Sequence, residues 1–213
     1  MEIYKLAFNP IDVNTWIVAD SSGECAVIDC GCYDMDEFRE FTDFLHEKNL
    51  KPVLLLNTHC HLDHIFGDIF MKGKYGLGAM CHRDDMFNRN QSVNHALMFG
   101  LRMKTPPDPS GFIDDNMTFS FGTTEIKALH VPGHAPGSLA FYIEKENVVF
   151  TGDALFAGSI GRTDLPGGNY ETIINSIKSR LFTLPPETIV FPGHGESTDV
   201  GTEMSSNPYF IHI

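Results

Sequence analysis

Apolar residues recur along the chain at two different spacings, which predict strands and helices. Short continuous apolar runs, of which Pro52–Leu56 is the clearest, are typical of strands buried in a sheet. Between residues 35 and 48, Phe38, Phe41 and Leu45 are spaced by three or four, which gives a helix a single apolar stripe. We interpret these residues as core packing.

The same pattern predicts two halves of similar design, joined by the Pro- and Gly-rich stretch Thr105–Gly111. In the first half it predicts strands near residues 2–8, 15–19, 25–29, 52–57 and 77–81, and helices near 35–48, 65–73 and 83–102. In the second half it predicts strands near 117–121, 124–130, 138–143, 147–152 and 188–192, and a helix near 170–182.

Composition agrees with one domain, residues 1–213. A chain of 213 residues can bury a substantial core, and 42% hydrophobic residues is ordinary for a globular protein. No apolar stretch approaches the ~20 residues of a membrane span, and Met1–Lys5 lacks the pattern of a secretory signal, so we expect a cytoplasmic protein. A net charge of −13 with 15 Lys and Arg residues argues against a broad nucleic-acid surface.

The cysteines form no CxxC pair, which indicates reduced thiols in a chain without a signal peptide. We expect small buried residues at most of these positions and assign no catalytic thiol, although a role for those nearest the predicted strand ends stays open. The five residues are Cys25, Cys30, Cys32, Cys60 and Cys81.

The segment Thr58–His64 carries three histidines and an aspartate directly after the predicted strand Pro52–Leu56. Imidazole and carboxylate ligands suit zinc, and they also suit iron or manganese. His59 and His61 are two residues apart and can point the same way at a strand end, whereas Asp63 and His64 can reach an adjacent position. A solvated loop with incidental histidines would not require this spacing. The segment therefore predicts a metal site.

Three further metal-capable residues, His134, Asp153 and His194, each follow an apolar run and stand beside a glycine that lets the backbone turn. Open sheets place their sites at the edge where strands finish, so we expect these side chains to join the cluster. The remaining histidines lack such a context. We interpret His130 as a core residue, and we interpret the others as core or surface residues: His46, His82, His95 and His212.

The motif THCHLDH, with Gly67 three residues beyond it and His134, Asp153 and His194 downstream, resembles the metallo-β-lactamase superfamily. Gly152–Phe156 followed by Gly158–Asn169 is similar to the glyoxalase II (hydroxyacylglutathione hydrolase) branch, especially its short bacterial members. The resemblance implies an α/β fold, a four-layer αββα sandwich with metals in the groove between the sheet edges.

The resemblance also implies two divalent metal ions, zinc first, with iron or manganese as alternatives. One ion would be held by His59, His61 and His134, the other by Asp63, His64 and His194, with Asp153 bridging them. The implied reaction is attack of a metal-bridging hydroxide on a small-molecule thioester of the S-lactoylglutathione type, whose thiolate leaves without a strong general acid. Asp63 is the candidate catalytic residue, because it could orient the nucleophile. No nucleic-acid or membrane partner is expected, and the oligomeric state is open.

Departures from the longer glyoxalase II pattern leave alternatives. Longer members carry a C-terminal helical segment that contacts glutathione, whereas only Gly195–Ile213 follows His194 here, so we expect weak recognition of glutathione. The commonest zinc β-lactamases use cysteine at the Asp153 position, and flavodiiron proteins carry a carboxylate near the His61 position. An iron-dependent persulfide dioxygenase would need only the positions of His59, His134 and Asp153. A non-catalytic metal-binding module is disfavoured because all seven ligand positions are filled.

Overall fold

Two mixed six-stranded sheets form the centre of the molecule in the computed structural model, which describes residues 1–211. Two predictions concern residues beyond that range. His212 lies outside the described residues, and the single domain 1–213 stays a prediction. The first sheet has the order β1-β2-β3-β4-β5-β6. Its strands are β1 (Glu2–Phe8), β2 (Val13–Ala19), β3 (Glu24–Ile28), β4 (Lys51–Leu56), β5 (Met80–Cys81) and β6 (Gly111–Phe112).

The second sheet has the order β14-β13-β10-β9-β8-β7, and β11 pairs with β12 in a separate hairpin. The strands of the second sheet are β7 (Thr118–Phe121), β8 (Thr124–His130), β9 (Leu139–Ile143), β10 (Val148–Gly152), β13 (Ile189–Pro192) and β14 (Thr198–Asp199). The hairpin strands are β11 (Leu155–Phe156) and β12 (Ser159–Ile160).

The helices pack on the outer faces of the sheets. They are α1 (Met35–Glu47), α2 (Leu62–Ile65), α3 (Asp68–Tyr75), α4 (Met86–Met98), α5 (Tyr170–Ser176), which continues as a π-helical turn Ile177–Leu181, and α6 (Val200–Ser206). Helix α1 begins at Asp34, whose side chain accepts hydrogen bonds from the backbone N–H groups of residues 36 and 37. No helix among residues 1–211 is long and apolar enough to cross a membrane.

Alternating side chains of the central strands build the four layers. On β2, Trp16 and Val18 enter the core between the two sheets, where they meet Phe141 and Phe150 of the second sheet. The residues between them on β2 face the other way, and Ile17 lies in the cluster that contains the apolar stripe of α1. Both faces of the strand are therefore buried, which explains its almost continuous apolar sequence. The predicted four-layer α/β sandwich is therefore confirmed.

Some predicted boundaries are wrong, and short elements were not predicted. The helix predicted at 65–73 is two helices, because the chain turns at Gly67, where a side chain would overlap Cys30. The helix predicted over 83–102 ends at Met98, and the predicted connector Thr105–Gly111 runs into β6, which still belongs to the first sheet. The pattern did not predict β6, the β11–β12 hairpin, β14 or α6, since two-residue strands and a seven-residue helix show too little periodicity.

Candidate metal centre

Four separate chain segments bring the seven predicted ligand residues to one edge of the sandwich. Residues 57–61 leave β4, and α2 carries Asp63 and His64 immediately afterwards. His134 lies in the β8–β9 loop, Asp153 directly follows β10, and His194 follows β13. Strands β10 and β13 are parallel, so their ends lie side by side.

Three imidazole nitrogens form the first group of the cluster. Nε2 of His59 lies 3.0 Å from Nδ1 of His61, and Nε2 of His134 lies 3.2 Å and 2.9 Å from these two atoms. Nitrogen ligands of a tetrahedral zinc ion with ordinary bond lengths are about 3.3 Å apart. The triangle is therefore close to the size that one bound ion would require.

The second group lies beside the first and contains Asp63, His64 and His194. Oδ2 of Asp63 lies 3.2 Å from Nε2 of His194 and 3.5 Å from Nε2 of His64. Asp153 stands between the groups: its Oδ1 is 3.4 Å from Nε2 of His64, and its Oδ2 is 3.7 Å from Nε2 of His134 and 3.6 Å from Nε2 of His194. Its position matches that of a bridging ligand.

Two buried atoms in this cluster have no hydrogen-bond partner among the described residues. They are Nε2 of His64 and Oδ1 of Asp153, which face each other. A buried polar atom without a partner is costly, and native proteins rarely contain one without a bound group to satisfy it. A cation between the two groups would satisfy both atoms, so the residues present fit a pair of metal ions.

Backbone carbonyls and a carboxylate orient the imidazole rings. Nδ1 of His134 lies 2.8 Å from the carbonyl oxygen of Arg162, and Nδ1 of His194 lies 3.1 Å from that of Asp12. A ring that donates its Nδ1 proton keeps the Nε2 lone pair free for a metal, and this is the usual arrangement around metal-binding histidines. Arg162 thus contributes through its backbone, while its guanidinium forms an exposed ion pair with Asp164.

Asp29 was not predicted as a site residue, yet it lies directly behind the second group. Its carboxylate accepts hydrogen bonds from the backbone N–H of Thr58 (2.7 Å), from the hydroxyl of Thr58 (2.6 Å) and from Nδ1 of His64 (2.9 Å). The residue is buried and has a φ of 55°. A sequence signal existed, because Asp29 directly follows the apolar run of β3, as Asp153 follows β10.

Asp85 was also missed, and it joins the two loops that carry the first group. Its buried carboxylate accepts hydrogen bonds from the backbone N–H of Cys60, which stands between His59 and His61, and from that of Gly137 (3.4 Å), in the loop of His134. Burial raises the pKa of Asp85, and the hydrogen bonds partly offset this rise. No local sequence pattern distinguishes Asp85 from neighbouring Asp84, so only the fold shows its position.

Burial and mutual repulsion keep His59 and His61 neutral. Burial lowers the pKa of His59, and the surrounding imidazoles lower it further; the same causes lower the pKa of His61 to about 3. For Asp153, burial by itself raises the pKa, but His64 and the other histidines bring it below its ordinary value. Neutral imidazoles and ionised carboxylates are the protonation states that metal binding needs. In the second group, burial by itself lowers the pKa of His64 and of His194, but Asp63 and Asp153 bring both above the ordinary value, so a cation would bind there in place of a proton.

Glycines at the strand ends make the close approach possible. Gly152 has a φ of 50°, a left-handed conformation that permits the turn into Asp153. A Cβ at Gly193 would overlap the Asp153 carboxylate and lie 2.8 Å from Cε1 of His64. The positions of Gly152 and Gly193 beside the predicted ligands therefore require glycine for steric reasons.

Comparisons with known proteins agree with this geometry. The pattern of the metallo-beta-lactamase superfamily matches residues 8–194. "Probable metallo-hydrolase YqgX" of Bacillus subtilis (strain 168) is 34% identical over 211 residues, covering 98% of this chain and 97% of that protein. "Hydroxyacylglutathione hydrolase GloC" of Haemophilus influenzae is 33% identical over 216 residues, covering 98% of each. The crystal structure of TTHA1623 in a di-iron-bound form has a TM-score of 0.88 and 35% identity, covering 97% of this chain and 100% of that chain.

The matched range, residues 8–194, contains every residue of the cluster, from His59 to His194. The fold, the arrangement of the strand-end histidines and aspartates, and the sequence match lead to the same assignment: this chain belongs to the metallo-β-lactamase superfamily.

Proposed function

We propose that this protein is a binuclear metallohydrolase that cleaves thioesters of the S-lactoylglutathione type. The proposal rests on the pair of ligand groups joined by Asp153, in which Nε2 of His64 and Oδ1 of Asp153 have no other partner among residues 1–211. The relative from Haemophilus influenzae, which is named a hydroxyacylglutathione hydrolase and matches nearly the whole chain, supports the choice of substrate class.

When bound, two divalent cations supply Lewis acidity and lower the pKa of a shared water. His59, His61 and His134 would hold one cation, and Asp63, His64 and His194 the other. The chain's own contribution is orientation: Asp29 and the carbonyls of Arg162 and Asp12 fix the rings. Oδ2 of Asp63 lies beside His64 and His194, and we assign the other oxygen of this carboxylate the task of orienting the attacking water.

A thioester suits the groups that face the cluster. Asp63 and Asp153 are the carboxylates within it, and both are engaged by imidazole nitrogens. Neither is therefore free to donate a proton to a leaving group. A thiolate departs without such a proton, whereas an alkoxide or amine leaving group would need one.

The ligand set contains imidazole and carboxylate groups and no thiolate, a combination that zinc and iron both accept. We propose zinc as the native metal. The similar structure TTHA1623 was solved in a di-iron-bound form, so the experiment must distinguish iron from zinc.

The test measures thiol release from S-lactoylglutathione and oxygen consumption with glutathione persulfide, on protein whose metal content has been determined. Thiol release without oxygen consumption, in a zinc-loaded protein, would support the proposal. Oxygen consumption by an iron-loaded protein would instead establish a persulfide dioxygenase. A fully loaded protein that is inert in both assays, and inert with other thioesters, would be a metal-binding module. Asp153→Ala serves as the inactive control in each assay.

A further inference from the structure

A second cluster of metal-capable side chains lies outside the candidate metal centre. It contains His82, which follows β5, His130, which ends β8, and Asp84 in the short helix Arg83–Asp85. The two imidazole rings are stacked, with centroids 4.2 Å apart and planes inclined by 8°. One ligand atom from each of the three residues lies within 4.8 Å of the others. The sequence interpretation of both histidines as core or surface residues did not include this pairing.

The hydrogen bonds of the rings leave one unprotonated nitrogen on each ring. Nε2 of His130 donates to the carbonyl oxygen of Pro136 at 2.9 Å, so the lone pair is on Nδ1. His134 and His194 use the same arrangement, in which one ring nitrogen donates to a backbone carbonyl. Nδ1 of His82 accepts the backbone N–H of Asp84 at 3.2 Å, so it too carries a lone pair.

The electrostatic surroundings also favour a cation. Burial lowers the pKa of His82, and neighbouring His130 lowers it further, against the opposing influence of Asp84, Asp114 and Asp85. His82 is therefore neutral near neutral pH, as a ligand must be.

We propose that His82, Asp84 and His130 form a third cation site, separate from the candidate metal centre. Two imidazoles and one carboxylate suit a late first-row divalent ion such as Zn²⁺, Ni²⁺ or Cu²⁺ rather than Mg²⁺ or Ca²⁺. The inference does not depend on the proposed thioesterase activity, because it concerns ion binding alone.

The geometry predicts that this site binds more weakly than the candidate metal centre. Three protein ligands are available, the side chain of Asp84 is 61% exposed, and its carboxylate lies 3.7 Å from Nδ1 of His82. The two stacked rings are nearly parallel, so they must tilt before their in-plane lone pairs can point at one ion. A bound ion would also replace the hydrogen bond that His82 accepts from the backbone of Asp84. We therefore expect a dissociation constant at least tenfold higher than that of either ion in the first cluster.

The site lies behind the loop that carries His134. His130 holds the carbonyl of Pro136, two residues beyond His134, and Asp85, next to Asp84, holds Gly137 in the same loop. Occupation of the third site would restrain this loop from behind without adding a ligand to the candidate metal centre.

The experiment begins with protein loaded with two equivalents of Zn²⁺ and titrates further Zn²⁺ by calorimetry. We expect one additional binding event, which His82→Ala and His130→Ala each abolish while two ions are retained. His46→Ala is the matched control, because His46 is an exposed histidine on α1, and it should leave the third event unchanged. Asp84→Asn should weaken the event by about tenfold, as the loss of one ligand of three suggests.

Imidazole ¹⁵N spectra of the unmodified protein provide a second measurement that does not depend on how the variants fold. The Nδ1 resonances of His82 and His130 should shift together as the third equivalent is added. Absence of a third event in the unmodified protein, its persistence in both histidine variants, or unchanged Nδ1 resonances would each overturn the proposal. Activity is not the readout, so failure here leaves the proposed hydrolase untouched, and loss of the hydrolase leaves this site testable.

Discussion

Asp29→Asn tests whether the candidate metal centre depends on the carboxylate behind His64. Asparagine is a clean replacement, because it keeps the size of the side chain and tolerates the left-handed backbone, φ 55°, at this position. The carboxylate accepts hydrogen bonds from two donor groups of Thr58 and from one of His64. An amide offers one oxygen and one NH₂ group, so it cannot accept at all these positions.

The substitution changes the hydrogen bonds that Thr58 and His64 can form. If the amide oxygen keeps the backbone N–H of Thr58, its NH₂ group faces the Thr58 hydroxyl and Nδ1 of His64. The Thr58 hydroxyl then accepts from this NH₂ group and still accepts the Nδ1 proton of His59, which lies 3.1 Å away, so the tautomer of His59 is kept. His64 has no such freedom: its Nδ1 must become an acceptor, and the proton moves to Nε2. That atom then donates to Asp153 or Asp63, at 3.4 Å and 3.5 Å, instead of binding a cation.

We therefore expect the second metal position, with His64, Asp63 and His194, to lose affinity by about 10- to 100-fold, the usual effect of removing such a supporting partner. This corresponds to about 1.4–2.7 kcal/mol. The first position, with His59, His61 and His134, should change by less than about threefold, since its rings do not contact Asp29. Stepwise competition against a zinc-binding chromophore resolves the two affinities.

Asp68→Asn is the matched control. Asp68 is also a buried aspartate, paired with Arg89 at 2.8 Å, but it contacts none of the seven cluster residues through the hydrogen bonds described. It should lower the free energy of unfolding without changing the ratio of the two affinities. The tautomer argument would be refuted if Asp29→Asn lowered the affinity of both metal positions equally and Asp68→Asn did the same. Only general destabilisation of the fold would then explain the losses.

The remaining predictions concern the metal content, the ligand residues, Asp63 and Asp20. Elemental analysis of protein that has been loaded and then dialysed to remove weakly bound ions should give two metal ions per chain, since the ligand groups of the candidate metal centre form two positions. A single tightly bound iron with no second site fillable would contradict this. Most bound metal and most activity should be lost in each of three variants, His59→Ala, His134→Ala and Asp153→Ala. The control His95→Ala should keep both, and comparable losses in that variant would show that the site lies elsewhere. Asp63→Asn should lower kcat more than it raises KM, measured by steady-state kinetics, and an unchanged kcat would remove Asp63 from the catalytic role. At the other end of the sandwich, Asp20 accepts hydrogen bonds from Ser22, Thr123 and Thr124, which lower its pKa. The stabilisation of the fold by ionised Asp20 is complete above the unfolded pKa of about 3.9 and is lost as the pH falls towards the lower pKa of the folded state. In urea titrations, the difference in unfolding free energy between the protein and Asp20→Asn should therefore shrink between about pH 5 and pH 2. A constant difference would contradict this prediction.

The sequence alone determined the elements with strong periodicity and the residues that belong to the candidate site. Helix α1 follows from the stripe of Phe38, Phe41 and Leu45, and β4 follows from its apolar run, because each signal extends over several residues of one element. The seven cluster residues could be named because they stand at the end of such a run or in the segment that directly follows it, at the edge where a sheet places its sites.

Only the tertiary structure decided which polar groups support the cluster. Asp29 meets Thr58 and His64 across 29 and 35 residues of chain, and Asp85 reaches Gly137 across 52. These contacts arise when the two sheets pack and set the register of their ends, so no local pattern encodes them. The stacking of His82 on His130 has the same origin, since the two residues come from different sheets. Periodicity reports which face a residue takes within its own element, whereas the partners on that face depend on how the distant elements pack.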